Sequence, residues 1–137
     1  MSWDLYIQDF GPYERIEDIP DDFKPLPIGN LSDIINKIRS MVPFADFDDP
    51  AWGVIETDEF SIEINVGDQE CVDSIALHVR GGGDAAWCVA DILKSLGLRA
   101  YDTGIDAFFD MNEPDKGFAQ WRALRDKRMA EADEESG

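Results

Sequence analysis

FSIEINVGDQECVDSIALHVRGGGDAAWCVADILKSLG, residues 60–97, decides the fold. Phe60, Ile62, Ile64 and Val66 alternate with Ser61, Glu63 and Asn65, and Ile75, Leu77 and Val79 alternate with Ser74, Ala76, His78 and Arg80. A period of two over this length predicts two strands of a sheet with one face buried and the other in water. A tight acidic turn is expected between them. The glycine corner Gly81–Gly83 leads into a helix over residues 84–96, with Ala85, Val89, Ile92, Leu93 and Leu96 along one stripe and Gly97 as its left-handed stop. An apolar helix stripe following an apolar sheet face implies that the two pack together.

Working outward, Trp3, Leu5 and Ile7 alternate with Asp4, Tyr6 and Gln8, which predicts a first strand of the same kind. Pro12, Pro20, Pro25 and Pro27 then exclude a regular strand or long helix, so residues 10–28 should form an irregular arm pinned by Ile16, Ile19, Phe23 and Leu26. Asn30 is placed as an N-cap for a helix carrying Leu31, Ile34, Ile35, Ile38, Met41 and Val42, ended by Pro43. Residues 43–51 read as a loop, 52–56 as a strand with a turn at 57–59, and 98–102 as a last strand.

The expected architecture is α+β, a two-layer sandwich. A mainly antiparallel sheet of about five strands carries two helices on one face, a ferredoxin-like variant, followed by a charged C-terminal helix. Residues 1–114 form the domain and 115–137 the charged helix or tail, whose start Phe118, Trp121 and Leu124 would dock.

The chain has 137 residues, 44% of them apolar, enough for one core without disulfides or metal. Its formal charge of −18 is the outlying quantity. Residues 1–114 hold 24 acidic against 7 basic side chains, whereas 115–137 hold 6 against 5. Such a body repels phosphate backbones and anionic lipid, so nucleic acid and membrane are not expected as partners. Cationic proteins are favoured, with salt-sensitive association. Cys71 and Cys88, 17 residues apart with a single histidine in the chain, do not make a zinc motif, and read as free thiols of a cytoplasmic protein. The first residues lack the basic start and apolar run of a secretory signal.

Three constellations bear on chemistry. Gly81-x-Gly83-x-x-Ala86 formally matches a dinucleotide fingerprint with Asp102 as ribose acid. The alternating strand before it and the negative charge of Asp84 argue against that, and no cofactor is expected. The glycines instead allow positive φ and close approach, with Asp84 capping the helix. The second constellation is the polar sheet face, where Tyr6, Glu63, Asn65, His78 and Arg80 form the candidate ligand-binding set, with Gln8, Arg99 and Tyr101 nearby. His78 beside Glu63 offers a base and Arg80 a seat for an anion, but no nucleophile motif or second histidine accompanies them, so no catalytic residue is assigned. The third is acidic: Asp46, Asp48, Asp49, Asp68, Glu70 and Asp73 form the candidate partner-binding set. Asp46-x-Asp48 opens like a calcium loop, but Pro50 and Thr57 break the pattern, so no metal site is assigned.

The segments MSWDLYIQDF, EDIPDDF, PLPIG, DPAWG, FSIEINVGDQE, DSIALHVRGGGD and LGLRAYDTG, within residues 1–110, resemble a group of small acidic bacterial proteins with no assigned activity, loosely immunity-protein-like. That resemblance implies a protein that neutralises a toxin by covering its active site. The sequence expectation is therefore a non-enzymatic interaction module for a basic partner. Its rivals are a small-molecule binder or minor enzyme centred on His78, and a homodimer joined over the polar face.

Overall fold

The structure is a computed structural model and describes residues 2–136, with side chains described through Arg128. In chain order the elements are β1 (Trp3–Gln8), β2 (Gly29–Asn30), α1 (Leu31–Met41), β3 (Asp46–Asp49), β4 (Trp52–Glu56), β5 (Phe60–Asn65), β6 (Cys71–Val72), β7 (Ile75–Gly81), α2 (Ala85–Leu96), β8 (Arg99–Asp102), β9 (Ala107–Phe108) and α3 (Pro114–Ser136). Seven strands form one sheet in the order β3-β4-β5-β7-β1-β8-β9, with every pairing antiparallel. β2 and β6 form a separate two-stranded ladder.

The alternation in the sequence becomes the two faces of this sheet. Trp3, Leu5 and Ile7 of β1, Ile62 and Ile64 of β5, and Ile75, Leu77 and Val79 of β7 are fully buried against the helices. Burying each aliphatic side chain is worth roughly 1.5–3 kcal/mol, so this face dominates the stability of the domain. In α1 the side chain of Asn30 accepts the amide of Asp33 at 2.9 Å, which caps the first turn, and Ile34 and Ile38 point into the core. In α2 the buried arc is wider than one stripe, taking in Ala86, Cys88 and Ala90, because α2 packs between α1 and α3. Gly97 ends it in the left-handed conformation at φ 66°.

The sheet has seven strands where about five were expected. β3 lies within residues 43–51, which read as loop because DFDD has one apolar side chain; Phe47 lies over Gly53, and pairing with β4 supplies the rest. β9 is too short to show a period. The expected pair of helices on the apolar face is a trio, since the first turns of α3 bury Phe118 and Trp121 in the same core, against Trp3 and each other, while Leu124 is left exposed. The tight acidic turn is in fact a nine-residue excursion, residues 66–74. Val66 and Gly67 donate to the carbonyl of Ala51, and Cys71–Val72 pairs with Gly29–Asn30. Asp84 occupies the N-cap position of α2 but makes no side-chain cap bond. Gly81 has φ 99°, and a Cβ there would lie 2.4 Å from the Glu59 carbonyl, so the close approach is to the β4–β5 turn. In the arm, Leu26 is 61% exposed and Phe10 is the buried anchor. The arm is held by Arg99, which donates to the carbonyls of Tyr13 and Gly11 while its guanidinium lies 4.1 Å above the Phe108 ring.

Among the described residues one carboxyl side chain is inside. Asp102 is fully buried; its Oδ1 accepts from Trp3 Nε1 and from the amide of Gly104, both at 2.9 Å. Its Oδ2 has no hydrogen-bond partner among the described residues. A Cβ added at Gly117 of α3 would come within 2.8 Å of that oxygen and 3.5 Å of the Trp3 ring. Glycine at this helical position is therefore a packing requirement. Gly117→Ala, which would gain about 1 kcal/mol in an unconstrained helix, should instead lower the urea midpoint of unfolding.

Burial holds the Asp102 carboxyl above its ordinary range, outweighing the bonds from Trp3 and from the backbone of Gly104 and Ile105. A raised folded-state value means its contribution to stability is fully present below the unfolded value and is lost as pH rises through the folded one. Asp102→Asn keeps an acceptor for Trp3 without the charge. The stability of the variant relative to the parent should rise with pH across that window, as urea melts at a series of pH values would show.

Candidate functional site

The outward face of the sheet is built in rows by strand register. One row runs Asp4, His78, Glu63 and Val54, and the next Tyr101, Tyr6, Ala76, Asn65 and Trp52. Arg80 lies opposite Ser61 in a third. The five residues of the expected ligand set, Tyr6, Glu63, Asn65, His78 and Arg80, therefore share this face, away from the helices. The wiring differs from the sequence reading. His78 Nδ1 bonds Asp4 Oδ1 at 2.8 Å, while Glu63 is taken by Arg80 at 3.2 Å. An ionised carboxylate only accepts, so Asp4 sets Nδ1 as the protonated nitrogen and leaves Nε2 without a partner among the described residues. Trp52 stacks on the imidazole at 6.3 Å between centroids. Asp4 escaped the sequence assignment although its parity with Tyr6 in the first strand puts it on this face.

An acid-oriented histidine can serve as a base, and among the described residues no side-chain hydroxyl or thiol is bonded to it. Ser2 Oγ donates to Asp4 Oδ1 at 2.5 Å, so the hydroxyl is bonded to the acid and not to the base. Tyr101 donates its hydroxyl to Asp106, which pushes the phenol up to about 12. With Arg80 tied to Glu63, no free cation stands beside His78 among the described residues to seat an anion. At its far corner the arm covers it, leaving a hollow of about 320 Å³ among Gln8, Phe10, Phe23 and Tyr101.

The acidic set falls on two elements. Asp46, Asp48 and Asp49 are exposed on β3, an edge strand, and Asp68, Glu70 and Asp73 are exposed on the excursion between β5 and β7. The bonds from Val66 and Gly67 to Ala51 bring the start of that excursion to the Asp49 end of β3. Asp46 and Asp49 accept the amides of Asp48 and Ala51, which shapes the strand locally. Ion pairs among the described residues engage Asp4, Asp18, Glu63, Glu113 and Asp126, so all six members of the acidic set lack a cationic neighbour. Arg125 pairs with Asp126 on its own helix and lies over Trp121, so it does not neutralise them. No group of three or more His, Cys, Asp or Glu converges among the described residues as a metal cage requires. No helix among them is long and apolar enough to cross a membrane.

A feature without a sequence signal is a groove of about 550 Å³ on the helical side, between the end of α1, the β4–β5 turn and the start of α2. Met41, Phe44 and Trp87 stand 45%, 59% and 48% exposed along it, and Asp84 and Asp91 are its charged lining. The residues are spread over three segments, which is why no local pattern announced it.

Cys88 sits in the groove wall, nearly buried, its thiol pushed up to about 11 by burial and then by Asp91. Cys71 is exposed on β6, and the two are unbridged. At neutral pH the shift from the ordinary 9.0 cuts the Cys88 thiolate by about a hundredfold. A disulfide reagent should therefore label one thiol quickly and the other far more slowly, and Cys71→Ser should abolish the fast phase.

Comparison with family models, with curated proteins and with solved structures gives no match to this chain, so what its surface can do rests on the geometry itself.

Proposed function

We propose that the protein is a non-enzymatic interaction module that docks a basic partner protein, in the manner of an inhibitor or immunity protein that covers a functional surface. The observation that carries this is the density of carboxylates without a cationic neighbour among the described residues: Asp46, Asp48, Asp49, Asp68, Glu70 and Asp73, on a chain of net charge −18. Unpaired surface charge of one sign raises association rates with an opposite charge and repels like surfaces. It disfavours a homodimer as well, since two copies bring like potentials together. Acidic side chains on the β3 edge also block strand addition by a second sheet. Two free thiols fit an encounter in the cytoplasm.

The second reading, a small ligand at the polar face, has one observation in its favour: His78 is oriented by Asp4 and flanked by Trp52. Its Nε2 and the exposed Tyr6 would hold a planar polar molecule. Among the described residues no hydroxyl or thiol is bonded to His78, so this is a binding reading.

The test is a pull-down from the native host at low and high salt, with the captured protein then purified and its binding rates measured. Raising salt from about 0.1 M to 1 M shortens the screening length from about 10 Å to 3 Å. A basic partner should associate more slowly in high salt, and Asp46→Asn/Asp48→Asn/Asp49→Asn should slow association at low salt. Binding indifferent to both would refute the reading.

A further inference from the structure

The groove between α1 and α2 combines three properties. Its lining mixes apolar side chains, Met41, Val42, Phe44, Phe60 and Trp87, with polar ones, and Phe44 and Met41 project into water. Its charged lining is wholly negative, Asp84 and Asp91, with no lysine or arginine among the lining residues. Its largest aromatic is held in place: Trp87 is 48% exposed, yet its indole Nε1 donates to Asp115 Oδ2 at 3.0 Å, tying the ring to α3. An exposed tryptophan fixed by a hydrogen bond presents its face with little ordering entropy left to lose on binding. Tryptophan faces are the preferred seats of guanidinium and ammonium groups, and carboxylates beside the ring strengthen the attraction.

We infer that this groove is the anchoring pocket for a segment of the basic partner that carries an arginine or lysine next to a bulky apolar side chain. This rests on the reading of the protein as a docking module and names where, and by what chemistry, the partner is gripped. The cation lies over Trp87 and meets Asp84 and Asp91, while the apolar neighbour fills the space by Phe44 and Met41. The unpaired acids of β3 and of the β5–β7 excursion then act at longer range, on the rate of encounter. Affinity resides in the groove and steering in the clusters.

The probe is a blocked tripeptide, arginine-leucine-arginine, titrated into the full chain labelled with ¹⁵N, with arginine-glycine-arginine as comparison. Expected are saturable shifts of the Trp87 indole N–H and of amides in 41–44 and 84–91, with the glycine peptide weaker by about tenfold. Trp87→Ala should remove the shifts. Should that variant lose its fold, Asp84→Asn/Asp91→Asn tests the charged half and should weaken binding, whereas Asp46→Asn/Asp48→Asn/Asp49→Asn should leave it unchanged. Shifts scattered over residues 46–49 and 68–73 without saturation would overturn the groove and leave the wider docking reading standing. No shift anywhere would count against both. Concentration-dependent broadening of groove signals without peptide would assign the groove to a second copy of the chain and overturn the proposal.

Discussion

The two-residue repeat of side chains along β1, β5 and β7 divides one sheet into an apolar and an aqueous face, and no register slip can be tolerated without exchanging them. A shift of one residue in β7 would send Leu77 and Val79 into water and drive His78 and Arg80 under the helices. Each of the two is intolerable: the first forfeits the burial that holds the domain, and the second buries charge without partners. The positions of Asp4, His78, Glu63 and Arg80 on the outer surface are thus enforced by the core beneath them. β1 and β7 matter most in this respect, because they are paired with each other and with a further strand on the other side, and each contributes three fully buried side chains.

Where β1 begins and β8 ends, the same logic meets an exception. Asp102 is at an inward position that the pattern reserves for an apolar residue, and the structure accommodates it by giving one oxygen two donors and leaving the other facing the backbone of α3 at Gly117. The charged C-terminal helix is consequently joined to the domain through its first two turns, by Phe118, Trp121 and a glycine that permits contact. A buried acid of this kind adds little to stability, and leaving it without its donors would cost much more. It fixes how Trp3, Gly104 and α3 meet.

The electrostatics divide in a comparable way. Net charge acts on the whole molecule, opposing compaction and like-charged association, but recognition depends on which charges lack neighbours. Glu63 and Asp4 are spent within the polar face, on Arg80 and His78, whereas the acids of β3 and of residues 68–73 are not. Asp84 and Asp91 border an apolar groove, where lower polarity strengthens any contact with a cation. The same formal charge does different things in these three settings.

By itself the sequence determined what depends on neighbours a few positions away. The period of the strands, the Asn30 cap, the Gly97 stop and the amphipathic stripes all follow from backbone geometry acting over two to four residues, and so does the outward aspect of Tyr6, Glu63, Asn65, His78 and Arg80. Only the tertiary structure decided which groups meet. Asp4 and His78 lie 74 positions apart and are joined by strand pairing, and Gly29–Asn30 finds Cys71–Val72 across more than a helix and three strands. β3 exists because β4 offers it hydrogen bonds, and the groove exists because the ends of two helices and a turn converge. Local periodicity fixes which way a side chain points; its partner is chosen by long-range register and packing, which no short window of residues contains.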